Sequence, residues 1–380
     1  MNRVIGSSGH RVIAAAAIAL LAVALVAAQP SAPLVRSQLV WVDRAGKKLS
    51  TLGDLADFGD IELSPDRTQI AAAVLNERTG LRELWLYDAV DGHRSRLNAN
   101  VADENWLIWS PDGKRAVFSS QRTRGLDLYG KDIGSGSPEQ LLAIDEERGQ
   151  WPVSWSPDGR NILVVTNTAE TGNDIWVLPM TGARKPYPFL ASEAQENWAA
   201  FSPNGRWVAY SFKEPGADTE LYVTPFPKAN RKWLVSARGG FQARWRRDGK
   251  ELLFLATNGT LTTSLMAADV NSDGADFEVS GVKKLFDTVI PYPPFHAFDV
   301  AADGQRFLVN SLLLAPGGSD RIARLSTGKA SSETYTIATS CAGVTSRLAA
   351  LIARINRFAT SSARLGGTLE KQIRSSRSPA

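Results

Sequence analysis

The residues best suited to meet a ligand are three tryptophans, each next to an amide side chain. Glu104-Asn105-Trp106 and Glu196-Asn197-Trp198 repeat one string, and Gln150-Trp151 falls one residue before the matching place between them. An indole face beside Asn105 or Asn197 suits peptide or glycan recognition, because the ring supplies apolar area and the amide fixes orientation. The competing expectation is that Trp106, Trp151 and Trp198 pack between neighbouring structural units. The acidic clusters Asp103-Glu104 and Asp145-Glu146-Glu147 could supply the paired carboxylates of a glycosidase. Both fall on connecting segments, where solvated loop charge is the expectation. Asp269-x-Asn271-x-Asp273-Gly274 resembles the start of a calcium loop, but its twelfth position is Ser280, where a bidentate Glu is wanted. A polar hairpin loop is therefore expected there, with calcium as the weaker alternative and no other cofactor.

Other chemistries find few residues. The chain has 380 residues, with three histidines (His10, His93, His296) and one cysteine, Cys341. That leaves no Cys/His zinc site and no internal disulfide. No Gly-x-Ser-x-Gly elbow occurs, and nothing in the sequence positions a Ser-His-Asp triad. The residues are read as non-catalytic, with an envelope hydrolase kept as an alternative. Residues 38–314 carry 30 basic and 36 acidic side chains, so the mildly acidic body argues against nucleic acid as a partner.

The elements that must position these residues follow from an internal repeat. Ser64-Pro65-Asp66-Arg67, Ser110-Pro111-Asp112-Gly113, Ser156-Pro157-Asp158-Gly159 and Ser202-Pro203-Asn204-Gly205 recur, followed by degenerate copies at Arg247-Asp248-Gly249 and Ala302-Asp303-Gly304. Successive acid or amide anchors are 46, 46, 46, 44 and 55 residues apart, the period of propeller blades. Proline presets φ, Asp or Asn bonds its own backbone, and Gly takes the positive φ of a hairpin. A large apolar residue stands three before each anchor: Leu63, Trp109, Trp155, Phe201, Trp245 and Val300. Four strand-like runs per unit predict an all-β, six-bladed β-propeller. The sixth unit stops after two strands near Leu314, whereas Leu39–Val42 and Lys48–Leu52 stand unassigned at the start. Pairing these with the last blade closes the ring. The site tryptophans then lead into innermost strands around one mouth of the central channel.

The anchors resemble the WD40-like repeats of the TolB type. Strings such as Leu39-Val40-Trp41-Val42-Asp43-Arg44, Lys185-Pro186-Tyr187-Pro188-Phe189-Leu190, Phe201-Ser202-Pro203-Asn204-Gly205-Arg206-Trp207 and Arg244-Trp245-Arg246-Arg247-Asp248-Gly249-Lys250 are similar to the extracytoplasmic C-terminal propeller of membrane-anchored bacterial serine/threonine kinases. That resemblance implies a propeller outside the cytoplasm and a sensor role as the runner-up function. It transfers no activity and no binding residues, and neither a Gly-rich nucleotide loop nor a His-Arg-Asp loop is present.

The chain ends complete the organisation. Arg3 and Arg11 precede an apolar run, Val12 to Ala28, closing on Val26-Ala27-Ala28. This predicts a signal peptide or membrane anchor over 1–28, a linker over 29–37 and an exported, periplasmic body. Residues 315–380 read as a poorly ordered tail. Within it Leu348, Leu351, Ile352, Ile355 and Phe358 space an amphipathic helix at about 345–358. The expectation is a monomeric propeller that binds a protein, a peptide or an envelope component.

Overall fold

The computed structural model describes residues 36–313, apart from 99, 101, 124, 144–148, 169–170, 258–261, 275 and 292–294. The signal or anchor at 1–28 and the helix at 345–358 lie outside the described residues. Within them the secondary structure is all β, in six four-stranded antiparallel sheets.

Strands β1 (Ser37–Asp43) and β2 (Lys48–Ala56) come first. Blade 1 follows as β3 (Phe58–Leu63), β4 (Gln69–Asn76), β5 (Leu81–Asp88) and β6 (Arg94–Arg96). Blade 2 is β7 (Glu104–Trp109), β8 (Arg115–Ser120), β9 (Asp127–Asp132) and β10 (Gln140–Ala143). Blade 3 is β11 (Gly149–Trp155), β12 (Asn161–Thr168), β13 (Gly172–Pro179) and β14 (Tyr187–Leu190). Blade 4 is β15 (Gln195–Phe201), β16 (Trp207–Lys213), β17 (Glu220–Pro225) and β18 (Trp233–Leu234). Blade 5 is β19 (Phe241–Trp245), β20 (Glu251–Thr257), β21 (Thr263–Asn271) and β22 (Glu278–Thr288). Blade 6 begins with β23 (Phe298–Val300) and β24 (Arg306–Leu312), and its sheet order is β2-β1-β24-β23.

The ring therefore closes with strands from both ends of the described chain. Strand β1 pairs with β24 from Ser37↔Leu312 through Asp43↔Arg306, which leaves no open edge between first and last blade. The innermost strands touch in cyclic order, β3, β7, β11, β15, β19, β23 and back to β3. Apolar clusters fill the blade seams, as with Leu39, Trp41, Phe58, Ile61 and Tyr87 at the closing seam.

The anchor turns bind blade to blade. In each full copy the serine hydroxyl donates to the anchor side chain and accepts a backbone N–H five residues on; Ser110 Oγ meets Asp112 Oδ1 at 2.6 Å and the Arg115 N–H at 2.9 Å. Gly113 and Gly205, at φ of 70°, face the preceding blade's Pro65 and Pro157, where a Cβ would stand 3.7 and 3.6 Å from proline Cδ. Trp109 and Trp245 donate their indole N–H to the carbonyls of Glu62 and Ala200, each four residues before the preceding blade's anchor.

Blade 5 ends on its longest strand, of 11 residues. Two expectations need correction. Asp269 and Asn271 stand in β21 and not in a loop, because apolar Leu265, Ala267, Ala268 and Val270 carry that strand onward. Asp269 pairs with Lys283, Asn271 accepts the Asp273 N–H, and among the described residues no group of three His, Cys, Asp or Glu is placed to hold a metal. Glu104, read as solvated loop charge, is 1% exposed at the start of β7, where Arg122, Asn98 and Ser120 bond it. A kinase-like Asp57-Phe58-Gly59 tripeptide does occur, but its Phe58 is core and its Asp57 pairs with Arg82.

Candidate functional site

The six innermost strands run the same way, so their N-terminal ends converge on one mouth. Each of β3, β7, β11, β15 and β19 breaks register at the same place, between Phe58/Ile61, Asn105/Ile108, Pro152/Ser154, Asn197/Ala200 and Phe241/Arg244. A bulge adds one residue and re-aims the neighbouring side chains. At these bulges Trp106, Trp198 and Gln242 sit at φ of 49°, 46° and 53°. For a bulky residue that region costs about 1 kcal/mol or more, so the ladder on both sides must hold it.

The bulges bring two of the three expected tryptophans together. Trp106 stacks on Trp151 with centroids 5.4 Å apart and 26° between planes, and its other neighbour is Phe295 at 5.3 Å. The Arg82 guanidinium lies 5.0 Å from the Phe295 centroid. The half-buried Trp106 keeps its buried Nε1 without a hydrogen-bond partner. Trp198 is placed apart, against Phe241 at 5.5 Å and the core of blades 5 and 6. The flanking amides are largely inward. Asn105 is 4% exposed with Oδ1 unpartnered beside Gly59, and Asn197 accepts the Trp198 backbone N–H at 2.8 Å. Burial raises the carboxyl pKa values of Glu104 and Glu196, opposed respectively by Arg122 and Ser192.

Beneath the mouth lies a buried ionic cluster that the sequence reading missed. Gln242 donates to the Phe295 carbonyl at 2.6 Å and accepts the Ala297 N–H at 3.0 Å, clasping His296 between them. The Asp60 Oδ1 accepts the His296 backbone N–H at 2.7 Å and meets its Nδ1 at 2.9 Å. Burial, then Arg244, lowers the His296 pKa, so the ring is neutral at pH 7. Deeper, Arg244 Nε stands 3.8 Å from Asp299 Oδ1 and its Nη2 4.0 Å from Glu62 Oε2. Asp299 Oδ2 accepts the Leu63 N–H at 2.8 Å, and Arg67 approaches it at 3.5 Å. Glu62 is pushed up to about 8 by burial first, with Arg244 opposing. Asp60 Oδ2, Glu62 Oε2 and Arg244 Nε and Nη2 are all buried without hydrogen-bond partners.

Two signals for this cluster were present in the repeat. Four residues before the anchor the chain carries Glu62, Ile108, Ser154, Ala200, Arg244 and Asp299, so three blades place a charge where the others place small or apolar groups. Blade 1 also puts Arg67, at φ 65°, where the five other anchors have glycine.

A groove of about 720 Å³ opens on the anchor-turn side between blades 2 and 3, lined by Pro111, Arg115, Trp155 and Pro157. There Trp155 donates to its own turn at Gly159 instead of to the neighbouring blade. The mouth is the stronger candidate, because Trp106 Nε1 and Asp60 Oδ2 are buried there without partners.

The comparisons agree with this architecture. The family model described as the TolB beta propeller domain matches residues 59–246. The body is thus a six-bladed β-propeller of the TolB type. The structure of putative TolB from Agrobacterium tumefaciens superposes with a TM-score of 0.59 at 16% identity, covering 74% of this chain and 99% of that one. Among curated relatives, dipeptidyl-peptidase 5 of Porphyromonas gingivalis is 25% identical over 207 residues, 51% of this chain and 30% of that protein. An uncharacterized protein of Agrobacterium fabrum is 28% identical over 209 residues, 52% of this chain and 69% of that protein. The matched stretch therefore spans less than a third of the peptidase.

Proposed function

We propose that this chain is an exported binding propeller that takes a protein or peptide of the cell envelope at the Trp106 mouth and catalyses nothing itself. The observation that carries this is the Trp106–Trp151–Phe295 stack, two rings from neighbouring blades and one from the segment leading into blade 6, around a buried, unpartnered indole N–H. Rigidly held aromatics with an unused donor are what hot spots present to partners. The basic and apolar start of the chain supports export by a signal peptide or retention by an N-terminal anchor. The test is capture from an envelope extract on residues 29–314, parent against Trp106→Ala. A real hot spot costs ~2 kcal/mol, or about thirtyfold in affinity. Equal capture by both would reject the mouth.

Two further readings each have an observation behind them. The resemblance to receptor-kinase propellers supports a sensor lobe, which a neighbouring kinase gene would favour. The match to dipeptidyl-peptidase 5 and the buried Asp60–His296 pair support an envelope hydrolase. Dipeptide-release assays on the parent and on His296→Ala test that reading, and activity absent from the variant alone would establish it.

A further inference from the structure

We infer that the channel beneath the aromatic mouth receives a cationic side chain, lysine or arginine, from the bound peptide. The inference rests on the peptide-binding reading and adds the chemistry of the anchoring residue. Four observations converge on a cation. Asp60 is 2% exposed, yet its Oδ2 has no partner, so the structure holds a buried acceptor in need of a donor. Glu62 Oε2 is a second unpartnered oxygen in the same cluster. The cluster brings three carboxyl groups (Asp60, Glu62, Asp299) against the deep guanidinium of Arg244, while Arg67 reaches Asp299 from the anchor-turn side and His296 is neutral. The unbonded Nε and Nη2 of Arg244 already face Asp299 and Glu62 at 3.8 and 4.0 Å, so the acceptor left over is Asp60 Oδ2, which an anionic or apolar ligand would leave unpaired. Trp106, Trp151 and Phe295 stack at the mouth end of the same ring, and aromatic faces attract cations. Phe295 and His296 are consecutive residues clasped by Gln242 and Asp60, which joins the rim to the charged floor.

The cluster also predicts coupling to protons. Asp60 and Asp299 raise the Glu62 pKa along with burial, whereas Arg244 and Arg67 lower it. An arriving guanidinium favours the ionised carboxylate, so binding should release a proton and strengthen as pH rises towards about 8. An arginine ligand keeps its own charge through this range.

The experiment uses capped pentapeptides with a central arginine, lysine, glutamine or norleucine, plus n-butylguanidinium, titrated against the parent and Glu62→Gln by tryptophan fluorescence. The expected result is at least tenfold tighter binding of the cationic peptides, strengthening from pH 6.5 to 8.5. Glu62→Gln should reduce the preference to about threefold and remove the pH dependence. Asp60→Asn, which keeps Oδ1 for the His296 N–H, should lose the preference as well, and near-ultraviolet circular dichroism reports whether either variant stays folded. Peptides that bind without regard to charge would overturn the cationic anchor and leave the peptide-binding reading intact. Butylguanidinium bound without any peptide would support the cation site and overturn the peptide reading. No binding of any probe would overturn both.

Discussion

At the residue scale, the three tryptophans that look alike in sequence divide by what they touch. Trp198, itself half-buried, packs on Phe241 against the core of blades 5 and 6, so Trp198→Ala should cost ~2 kcal/mol of stability, as truncating a partly buried core aromatic does. Trp106 stacks at the mouth with its indole nitrogen unused, so Trp106→Ala should cost less stability and show its main effect in binding. Thermal melts of the two variants check this, and equal drops would return Trp106 to a packing role. Glu62 gives a pH prediction with a definite sign. Its native pKa of about 8 lies above the ordinary value of 4.5, so the folded state holds a proton that the unfolded chain releases between them. Its contribution is fully present below the unfolded pKa and is lost as pH rises through about 8, on the order of 5 kcal/mol. His296, a base with a lowered pKa, acts oppositely, adding stability as pH rises through its own range. The parent-minus-Glu62→Gln difference isolates the glutamate and should shrink in stability from pH 5 to pH 8; a flat difference would contradict the burial argument. The tryptophans were legible because they repeat with the blades. The Asp60, Glu62, Arg244, His296 and Asp299 cluster was not, because its members lie up to 239 residues apart and meet only once the ring closes.

At the scale of elements, each anchor turn is a closed hydrogen-bond unit, and its chemistry is local enough to be read directly. Ser110→Ala leaves the Arg115 N–H and the Asp112 carboxylate without their shared partner, and should destabilise by ~1 kcal/mol. Trp109→Phe keeps the apolar volume but strips the indole bond to Glu62, and should cost ~1–2 kcal/mol. Denaturant titrations of the two variants measure both costs, and values within error of zero would make these bridges ornamental to the seam. Strand bounds in blade 5 were misread for a physical reason. Asp269 and Asn271 are exposed at the end of β21, while Ala268 before them and Val270 between them stay buried, and an acid and an amide alternating at a strand end resemble a loop. The register breaks at Trp106 and Trp198 were also illegible, since no glycine marks the positive φ that each adopts.

At the scale of the whole molecule, closure and site are linked. The period of the anchors made the blade count and the shared sixth blade readable from sequence. Strand β1 zips onto β24 over seven residue pairs, and blade 6 with the segment leading into it supplies Phe295, His296 and Asp299 to the channel. Removing residues 37–56 should therefore expose a blade edge, cost several kcal/mol and loosen the ionic cluster. A deletion variant melting with the parent would contradict the closure. The central claim is that partners bind at the aromatic mouth. It is tested most directly by a photo-crosslinking side chain placed at Trp151 in the mouth and, separately, at Arg160 beside the anchor turn of the same blade, in the presence of envelope extract. The account predicts a discrete adduct from position 151 and none from position 160, and adducts from position 160 alone would contradict it.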